Sequence, residues 1–128
     1  MSKNPDWTED EHILALDLYL SKKPGQPQKG SAEVLDLSAL LNRLHQKFGT
    51  TATTTLRNPD GVYMKLMNLK AHDPESIARG SKGLQRGNQL EAKVWEQFGD
   101  RALELHDVAV AMRRERQTDD SERAQLRS

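Results

Sequence analysis

The chain contains no cysteine among its 128 residues. This absence excludes disulfide bonds, thiolate zinc sites and cysteine nucleophiles together. Small secreted domains commonly depend on disulfides for stability, so a scaffold of that kind is excluded as well. Because a chain without cysteine suits a reducing compartment, we expect a cytoplasmic protein.

Long apolar runs are also missing. No stretch of about 18 apolar residues, the length that could span a bilayer, occurs in the chain. No positively charged leader followed by an apolar stretch marks a secretory signal. Apolar residues make up 35% of the chain and charged residues 30%. We therefore expect no membrane partner, and one domain with a modest core.

The chain has no net charge, with 19 basic and 19 acidic residues. A neutral total argues against nucleic-acid binding, but the charges are unevenly distributed. Residues 21–88 hold eleven bases and five acids, whereas 1–20 and 89–128 are both net acidic. The pattern predicts one positive face on a neutral molecule. Charge scattered over a solvated surface explains the same counts equally well.

Two helices are predicted in the first part of the chain. Thr8 can cap the first, and Glu11 has the spacing to reach back to the Thr8 amide. Leucine and alanine favour a helix through 13–20. Prolines, glycines and lysines indicate a loop over 21–30. A second helix is predicted over 31–48, where these apolar residues share one face: Val34, Leu37, Leu41 and Leu44.

The third helix has the strongest start signal. Asn58 is suited to the N-cap and Pro59 to the first helical position. Val62, Leu66 and Leu69 recur at helical spacing and form its predicted inward face. A loop is predicted over 71–88, where glycines alternate with basic residues.

Two more helices are predicted, the fourth from Asn88 to about Gly99 and the fifth from Asp100. The polar segment from Gln117 predicts disorder. The fold class is therefore all-α, a compact bundle of about five helices whose N-terminal three-helix unit resembles a helix-turn-helix. We expect a helical DNA-binding module over 1–116 and a disordered polar tail or linker over 117–128. The predicted core includes the following residues: Trp7, Leu14, Leu18, Val34, Leu37, Leu41, Val62, Leu66 and Trp95.

No pattern indicates catalysis. The four histidines are scattered along the chain, and no zinc-protease motif, phosphate-binding Walker loop or nucleophile elbow occurs. The acids near the first helix are explained by capping and solvation. We expect no catalytic residues, no metal site and no cofactor, and hence no enzyme.

The third helix is the predicted DNA-reading element. In helix-turn-helix proteins the last helix enters the major groove, and residues at its N-terminus reach base edges. Lysine and asparagine can form hydrogen bonds with base edges, and tyrosine can contact a phosphate or stack on an unpaired base. Since one helix presents only one side to a groove, Tyr63 with Lys70 and Lys65 with Asn68 are alternatives. The predicted contacts on this helix are as follows: Arg57, Asn58, Tyr63, Lys65, Asn68 and Lys70.

Two of these residues also have a structural interpretation. Asn58 fits the role of N-cap, and Arg57 could pair with an early acid such as Asp10 or Glu11. In that case the three helices simply enclose a core, and the other predicted contacts lie on a solvated surface. The residue types at these positions leave both interpretations open.

The two basic loops are predicted to contact the phosphate backbone. Glycines let a backbone approach a ligand closely, and interleaved bases can grip phosphates. A flexible connector is the alternative for the second loop, because its spacing matches no nucleotide-binding motif. The basic residues concerned are these: Lys22, Lys23 and Lys29 in the first loop, and Arg79, Lys82 and Arg86 in the second.

The string RNPDGVYMKLMNL at 57–69 resembles the N-terminal region of bacterial McrA-like HNH endonucleases, the modification-dependent (type IV) restriction class. Supporting similarity extends over about residues 4–112 and includes LALDLYL at 14–20 and Val94-Trp95. In that class a C-terminal HNH domain with a divalent metal performs the cleavage. Upstream domains bind DNA and often sense modified bases. This chain lacks the HNH residues, so the resemblance implies a non-catalytic module.

We therefore expect a DNA-binding module of a bacterial restriction system. Its expected partners are double-stranded DNA, with or without modified bases, and an HNH nuclease domain in cis. The alternative is a helical protein-interaction or dimerisation module that positions a nuclease without touching DNA.

Overall fold

A computed structural model of the chain describes residues 6–23, 25–47, 57–78, 80 and 89–127. These ranges contain helices and no strand, which confirms the all-α prediction. None of the helices in them is long and apolar enough to cross a bilayer. The helices have the following bounds: α1 Glu9–Ser21, α2 Ala32–Lys47, α3 Pro59–Lys70, α4 Pro74–Ala78, α5 Gln89–Phe98 and α6 Ala102–Arg127.

Helix α1 lies at the centre of the bundle. It contacts α2, α3, α5 and α6, and every residue from 11 to 16 is buried. A helix that is apolar nearly all round must be covered on all sides, so its composition explains its central position. Helices α1, α2 and α3 also contact one another pairwise. This confirms the predicted three-helix unit, while its use as a helix-turn-helix stays a prediction.

The predicted caps of α1 and α3 are confirmed. Thr8 and Glu11 form a reciprocal capping box, with the Glu11 amide 3.2 Å from Thr8 Oγ1 and the Thr8 amide 3.0 Å from Glu11 Oε1. Asn58 caps α3 by accepting from the Gly61 amide at 2.7 Å. Each cap satisfies an amide that the first helical turn leaves without a partner. Local sequence therefore determines where these helices begin.

The predicted core is largely confirmed. Six of its seven aliphatic members are buried, and Leu18 is the exception. Trp7, Leu18 and Trp95 are only partly buried and pack against the cluster. Trp95 remains anchored because its indole Nε1 donates to the Leu69 carbonyl at 2.8 Å. Buried residues outside the predicted set include the following: Ile13, Ala15, Leu16, Tyr19, Leu40, Leu69, Val94, Phe98, Leu105 and Ala109.

Helix α5 ends at the predicted stop. The Gly99 amide donates to the Trp95 carbonyl at 2.7 Å. A Cβ at position 99 would lie 2.6 Å from that carbonyl oxygen and 2.7 Å from a carbon of the Trp95 ring. Because real Cβ atoms do not approach so closely, only glycine fits here without a shift of its neighbours.

Two boundaries differ from prediction. The region predicted as a loop contains the short helix α4, since Asp73 accepts from the Glu75 amide at 3.0 Å and begins a turn with Pro74 at its first position. Helix α6 continues to Arg127, where a disordered tail was predicted from Gln117. No glycine or proline follows Gly99, and good helix formers are frequent there, so nothing in the sequence stops the helix. The proposed boundary between 116 and 117 therefore lies inside a continuous helix.

Candidate nucleic-acid interface

Helix α3 has one buried face and one outward face. Val62, Leu66 and Leu69 are fully buried, as their spacing predicts. Lys65 is buried with them. The outward face carries Asp60 and the side chain of Met64, which is 49% exposed. The centre of this surface is therefore acidic and apolar rather than basic.

Arg57 lies in the interior with only 3% of its surface exposed. Its Nε donates to Glu11 Oε2 at 2.6 Å and its Nη2 to Glu11 Oε1 at 3.1 Å, a bidentate arrangement. Its guanidinium carbon also lies 5.2 Å from the centre of the Trp7 ring. The prediction that Arg57 reaches a base edge is therefore wrong, because its donors are directed at a carboxylate inside the bundle. The structural interpretation holds, with Glu11 as the partner.

Helix α2 holds the backbone of Arg57 in place. The Arg57 amide donates to Asn42 Oδ1 at 3.1 Å, and its carbonyl accepts from Asn42 Nδ2 at 3.2 Å. The Ser38 hydroxyl donates to the same carbonyl. Side chain and backbone together fix the residue that precedes the Asn58 cap. The start of α3 is thus tied to both α1 and α2.

Lys65 is the second corrected residue, with 8% of its surface exposed. Its ammonium donates to Glu91 Oε2 at 2.7 Å and lies 3.2 Å from His12 Nε2. It also lies 5.3 Å from the centre of the Trp7 ring. A buried charge is tolerated when it is paired in this way. Lys65 therefore joins α3 to α5 and α1 and does not face a groove.

His12 is buried and neutral in this arrangement. Its Nδ1 lies 2.8 Å from the Thr8 carbonyl, and because a carbonyl only accepts, Nδ1 carries the ring proton. The other nitrogen, Nε2, is then free to accept from Lys65. Burial lowers the pKa of His12, and the neighbouring Lys65 ammonium lowers that pKa as well. A second ring proton would place two donors face to face.

Three predicted α3 contacts remain partly exposed: Tyr63, Asn68 and Lys70. Asn58 is also partly exposed, but its side-chain oxygen is engaged by the Gly61 amide. Tyr63 and Lys70 are two turns apart on one flank of the helix. Because Lys65 is turned inward, Asn68 is the one predicted DNA contact that remains on the opposite flank. The Tyr63–Lys70 flank is consequently the better candidate for an anionic ligand.

The first basic loop contacts the C-terminal end of α3. Lys70 Nζ donates to Gln26 Oε1 at 2.7 Å, across 44 positions of the chain. Pro27, the residue after Gln26, is buried, whereas Lys29 is exposed. We call Tyr63 and Lys70 of α3, together with Gln26 and Lys29 of the loop, the α3–loop surface. Two elements that the sequence analysis treated separately are thereby brought together.

Two other lysines of this loop are engaged by acids. Lys22 Nζ lies 2.7 Å from Glu33 Oε1 on α2. Lys23 Nζ lies 3.1 Å from Asp73 Oδ2 and 2.8 Å from Glu75 Oε2. The positive charge that the sequence places in this loop is therefore partly balanced within the protein.

Asp73 connects this lysine to the core. The Tyr19 hydroxyl donates to Asp73 Oδ2 at 2.7 Å, and Asp73 is buried. Burial by itself would raise the pKa of Asp73, but the hydrogen bonds from Tyr19 and Lys23 outweigh it and leave that pKa lowered. The carboxylate thus stays ionised and holds the end of α3 against α1.

Arg79, Lys82 and Arg86, the predicted phosphate contacts of the second loop, lie outside the described residues, as does Asn88. Within the part of the chain that the structure describes, no three histidine, aspartate or glutamate side chains are grouped as metal ligands would be. The Lys65–Glu91 pair and the burial of His12 were not predicted from the sequence. Nothing in the pattern of a single helix indicates which distant residue will cover Glu91.

No family model, curated protein or solved structure matches the chain. The resemblance to the N-terminal region of HNH endonucleases therefore stays a prediction.

Proposed function

We propose that the chain is a non-catalytic helical module that binds double-stranded DNA and acts beside an HNH nuclease domain in cis. The observation that best supports this proposal is the contact between Lys70 and Gln26. It joins the lysine-containing loop to the C-terminus of α3, so that two elements with basic side chains meet. The proposed DNA contacts are Tyr63, Lys70 and Lys29, and Asn68 is the alternative contact on the other flank of α3. Arg57 and Lys65 are not among them, because both are buried.

Binding at this surface is expected to be mainly electrostatic. Lys29 and Lys70 supply positive charge, and the Tyr63 hydroxyl can donate to a phosphate oxygen. Each neutralised phosphate releases condensed counterions, so affinity should fall steeply as the salt concentration rises. Such contacts orient a protein on DNA without reading its sequence. Discrimination between plain and modified duplexes would then require a separate contribution from Tyr63 or Asn68.

The test is a fluorescence-anisotropy titration with short plain, methylated and hydroxymethylated duplexes at several salt concentrations. Lys29→Ala and Lys70→Ala should weaken binding to all three duplexes alike and reduce the salt slope by about one each. Lys93→Ala is the matched control, because Lys93 is an exposed lysine on α5. Equal affinity of the parent, the two variants and the control would contradict the proposal.

A second experiment addresses which flank discriminates between duplexes. Tyr63→Ala and Asn68→Ala are compared on plain and modified duplexes. A change in the ratio of the two affinities identifies the reading side chain, whereas a uniform change indicates a phosphate contact. If neither variant changes any affinity, α3 acts as a scaffold.

The outward face of α3 favours one other function, a protein-interaction or dimerisation module. Met64 is 49% exposed at its centre, and Asp60 lies one turn before it. An apolar centre with an acidic neighbour suits a protein better than a phosphate backbone. Size-exclusion chromatography with light scattering tests the dimerisation form. A dimer that Met64→Lys disrupts, together with no DNA binding, would favour this second function.

A further inference from the structure

Two lysines where α1 meets the first loop are each held by an exposed carboxylate. Lys22 Nζ pairs with Glu33 Oε1 at 2.7 Å, and Lys23 Nζ pairs with Glu75 Oε2 at 2.8 Å. The hydrogen bond from Lys22 lowers the pKa of Glu33. Although partial burial opposes it, the hydrogen bonds that Lys23 donates to Glu75 and Asp73 raise the pKa of Lys23. Both pairs are therefore favourable interactions between charged groups.

The acids in this cluster differ in what else they do. Asp73 is buried and also receives the Tyr19 hydroxyl, so it belongs to the core. The side chains of Glu33 and Glu75 are 44% and 67% exposed. They come from the first turns of α2 and α4, on either side of the loop. Glu33 and Glu75 can thus be replaced without disturbing the core.

We propose that Glu33 and Glu75 weaken the binding of DNA phosphates by holding Lys22 and Lys23 beside the α3–loop surface. The proposal rests on the proposed function, namely that this surface takes DNA. A phosphate oxygen that approaches Lys22 or Lys23 has to displace a carboxylate oxygen from the same ammonium. Exposed ion pairs are weak and are screened by salt. The displacement is therefore reversible, and the acids set the affinity rather than abolish binding.

The two acids would act locally because the lysines that they hold lie close in sequence to the α3–loop surface. Lys23 lies three residues before Gln26, which contacts Lys70. Its ammonium is shared between Glu75 and the buried Asp73, so loss of Glu75 leaves Asp73 as its partner. Lys22 has Glu33 as its described ion-pair partner. Removal of Glu33 should therefore free Lys22 more completely than removal of Glu75 frees Lys23.

The test compares the full chain with a Glu33→Gln, Glu75→Gln double variant, using the plain duplex in anisotropy titrations. Glutamine has the same shape as glutamate, and circular dichroism checks that the variant is folded. We expect binding about fivefold tighter, with a steeper salt slope, because an exposed ion pair opposes each added contact. The matched control is Glu96→Gln, Glu104→Gln, which changes the net charge equally on exposed positions of α5 and α6.

A double-mutant cycle separates specific shielding from a general change in charge. Lys22→Met should change the affinity of the parent only slightly, because Glu33 already holds that lysine. In the Glu33→Gln background the same substitution should remove the gain in affinity. The two effects of Lys22→Met would be equal if the residues acted independently. Equal effects would overturn the inference.

The remaining outcomes are also decisive. If the parent binds DNA and the Glu33, Glu75 variant matches the Glu96, Glu104 control, the inference is wrong and the proposed function stands. If neither the parent nor the variant binds any duplex at low salt, both are wrong. Binding by the variant alone, with no binding by the parent or the control, supports the inference.

Discussion

The molecule contains two sets of ion pairs that use the same chemistry in different surroundings. Glu11–Arg57 and Lys65–Glu91 are buried. The first pair joins α1 to the residue that precedes the N-cap of α3, and the second joins α3 to α5. Lys22–Glu33 and Lys93–Glu9 are exposed. Removing one member of a buried pair leaves an uncompensated charge in the interior, whereas removing one member of an exposed pair leaves a charge that water solvates.

The pairing of bases with acids reduces the positive charge that the basic centre of the sequence, residues 21–88, can present to a ligand. Residues 21–88 hold eleven bases, but Arg57 and Lys65 are buried, and Lys22 and Lys23 are engaged by acids. Only a part of this charge is available to a polyanion. A count of basic residues therefore overestimates the electrostatic footprint of a protein whose helices place acids opposite them.

The largest effect is expected from Arg57→Met. It leaves Glu11 buried without its bidentate partner, and should reduce the free energy of unfolding by about 3–5 kcal/mol. Urea denaturation followed by circular dichroism measures the change. In the Glu11→Gln background Arg57→Met should have a smaller effect, because the buried charge has already been removed. A loss no larger than that of an exposed lysine would contradict the distinction between the two sets.

Lys65→Met should have a similar or slightly smaller effect, about 3 kcal/mol. Glu91 would lose the ammonium that lies 2.7 Å from its Oε2, so its charge would stay in the interior with less compensation. Urea denaturation followed by circular dichroism measures the change, with Lys93→Met as the exposed control. A loss no larger than that of Lys93→Met would contradict the assignment of Lys65–Glu91 to the buried set.

An intermediate effect is expected when the pH falls below about 6.5, the ordinary pKa of histidine. The pKa of His12 is lowered in the folded protein, so the unfolded chain binds this proton more tightly. The contribution of His12 to the free energy of unfolding is then complete above pH 6.5. It is lost as the pH falls toward the lower pKa that His12 has in the folded protein. The midpoint of urea denaturation, followed across this range, should show the loss in the parent. His12→Gln should abolish it, and the same loss in both proteins would assign it to other groups.

The smallest effect is expected from Lys93→Ala. Lys93 Nζ lies 3.4 Å from Glu9 Oε2, and both side chains are well exposed. The free energy of unfolding should change by less than about 0.5 kcal/mol, and salt should reduce even that difference. Urea denaturation at low and high salt provides the measurement. A change as large as that of Lys65→Met would show that burial does not separate the two sets.

Local features of this fold were predictable because they depend on neighbouring residues. The Thr8 and Asn58 caps, the stop at Gly99 and the inward face of α3 all follow from side chains within one or two turns. The pairing of Arg57 with an early acid was also foreseen as an alternative. The short helix α4 was missed because Asp73-Pro74 is compatible with both a turn and a helix start.

The candidate site was less predictable, because its residues come from distant parts of the chain. By itself the sequence determined an all-α fold, the starts of α1 and α3, and an excess of positive charge in the middle of the chain. Only the tertiary structure decided that Lys65 turns inward to Glu91, 26 positions away, and that Lys70 meets Gln26, 44 positions away. The physical reason is that helical periodicity determines which residues share a face, whereas burial and charge pairing depend on which other helix covers that face.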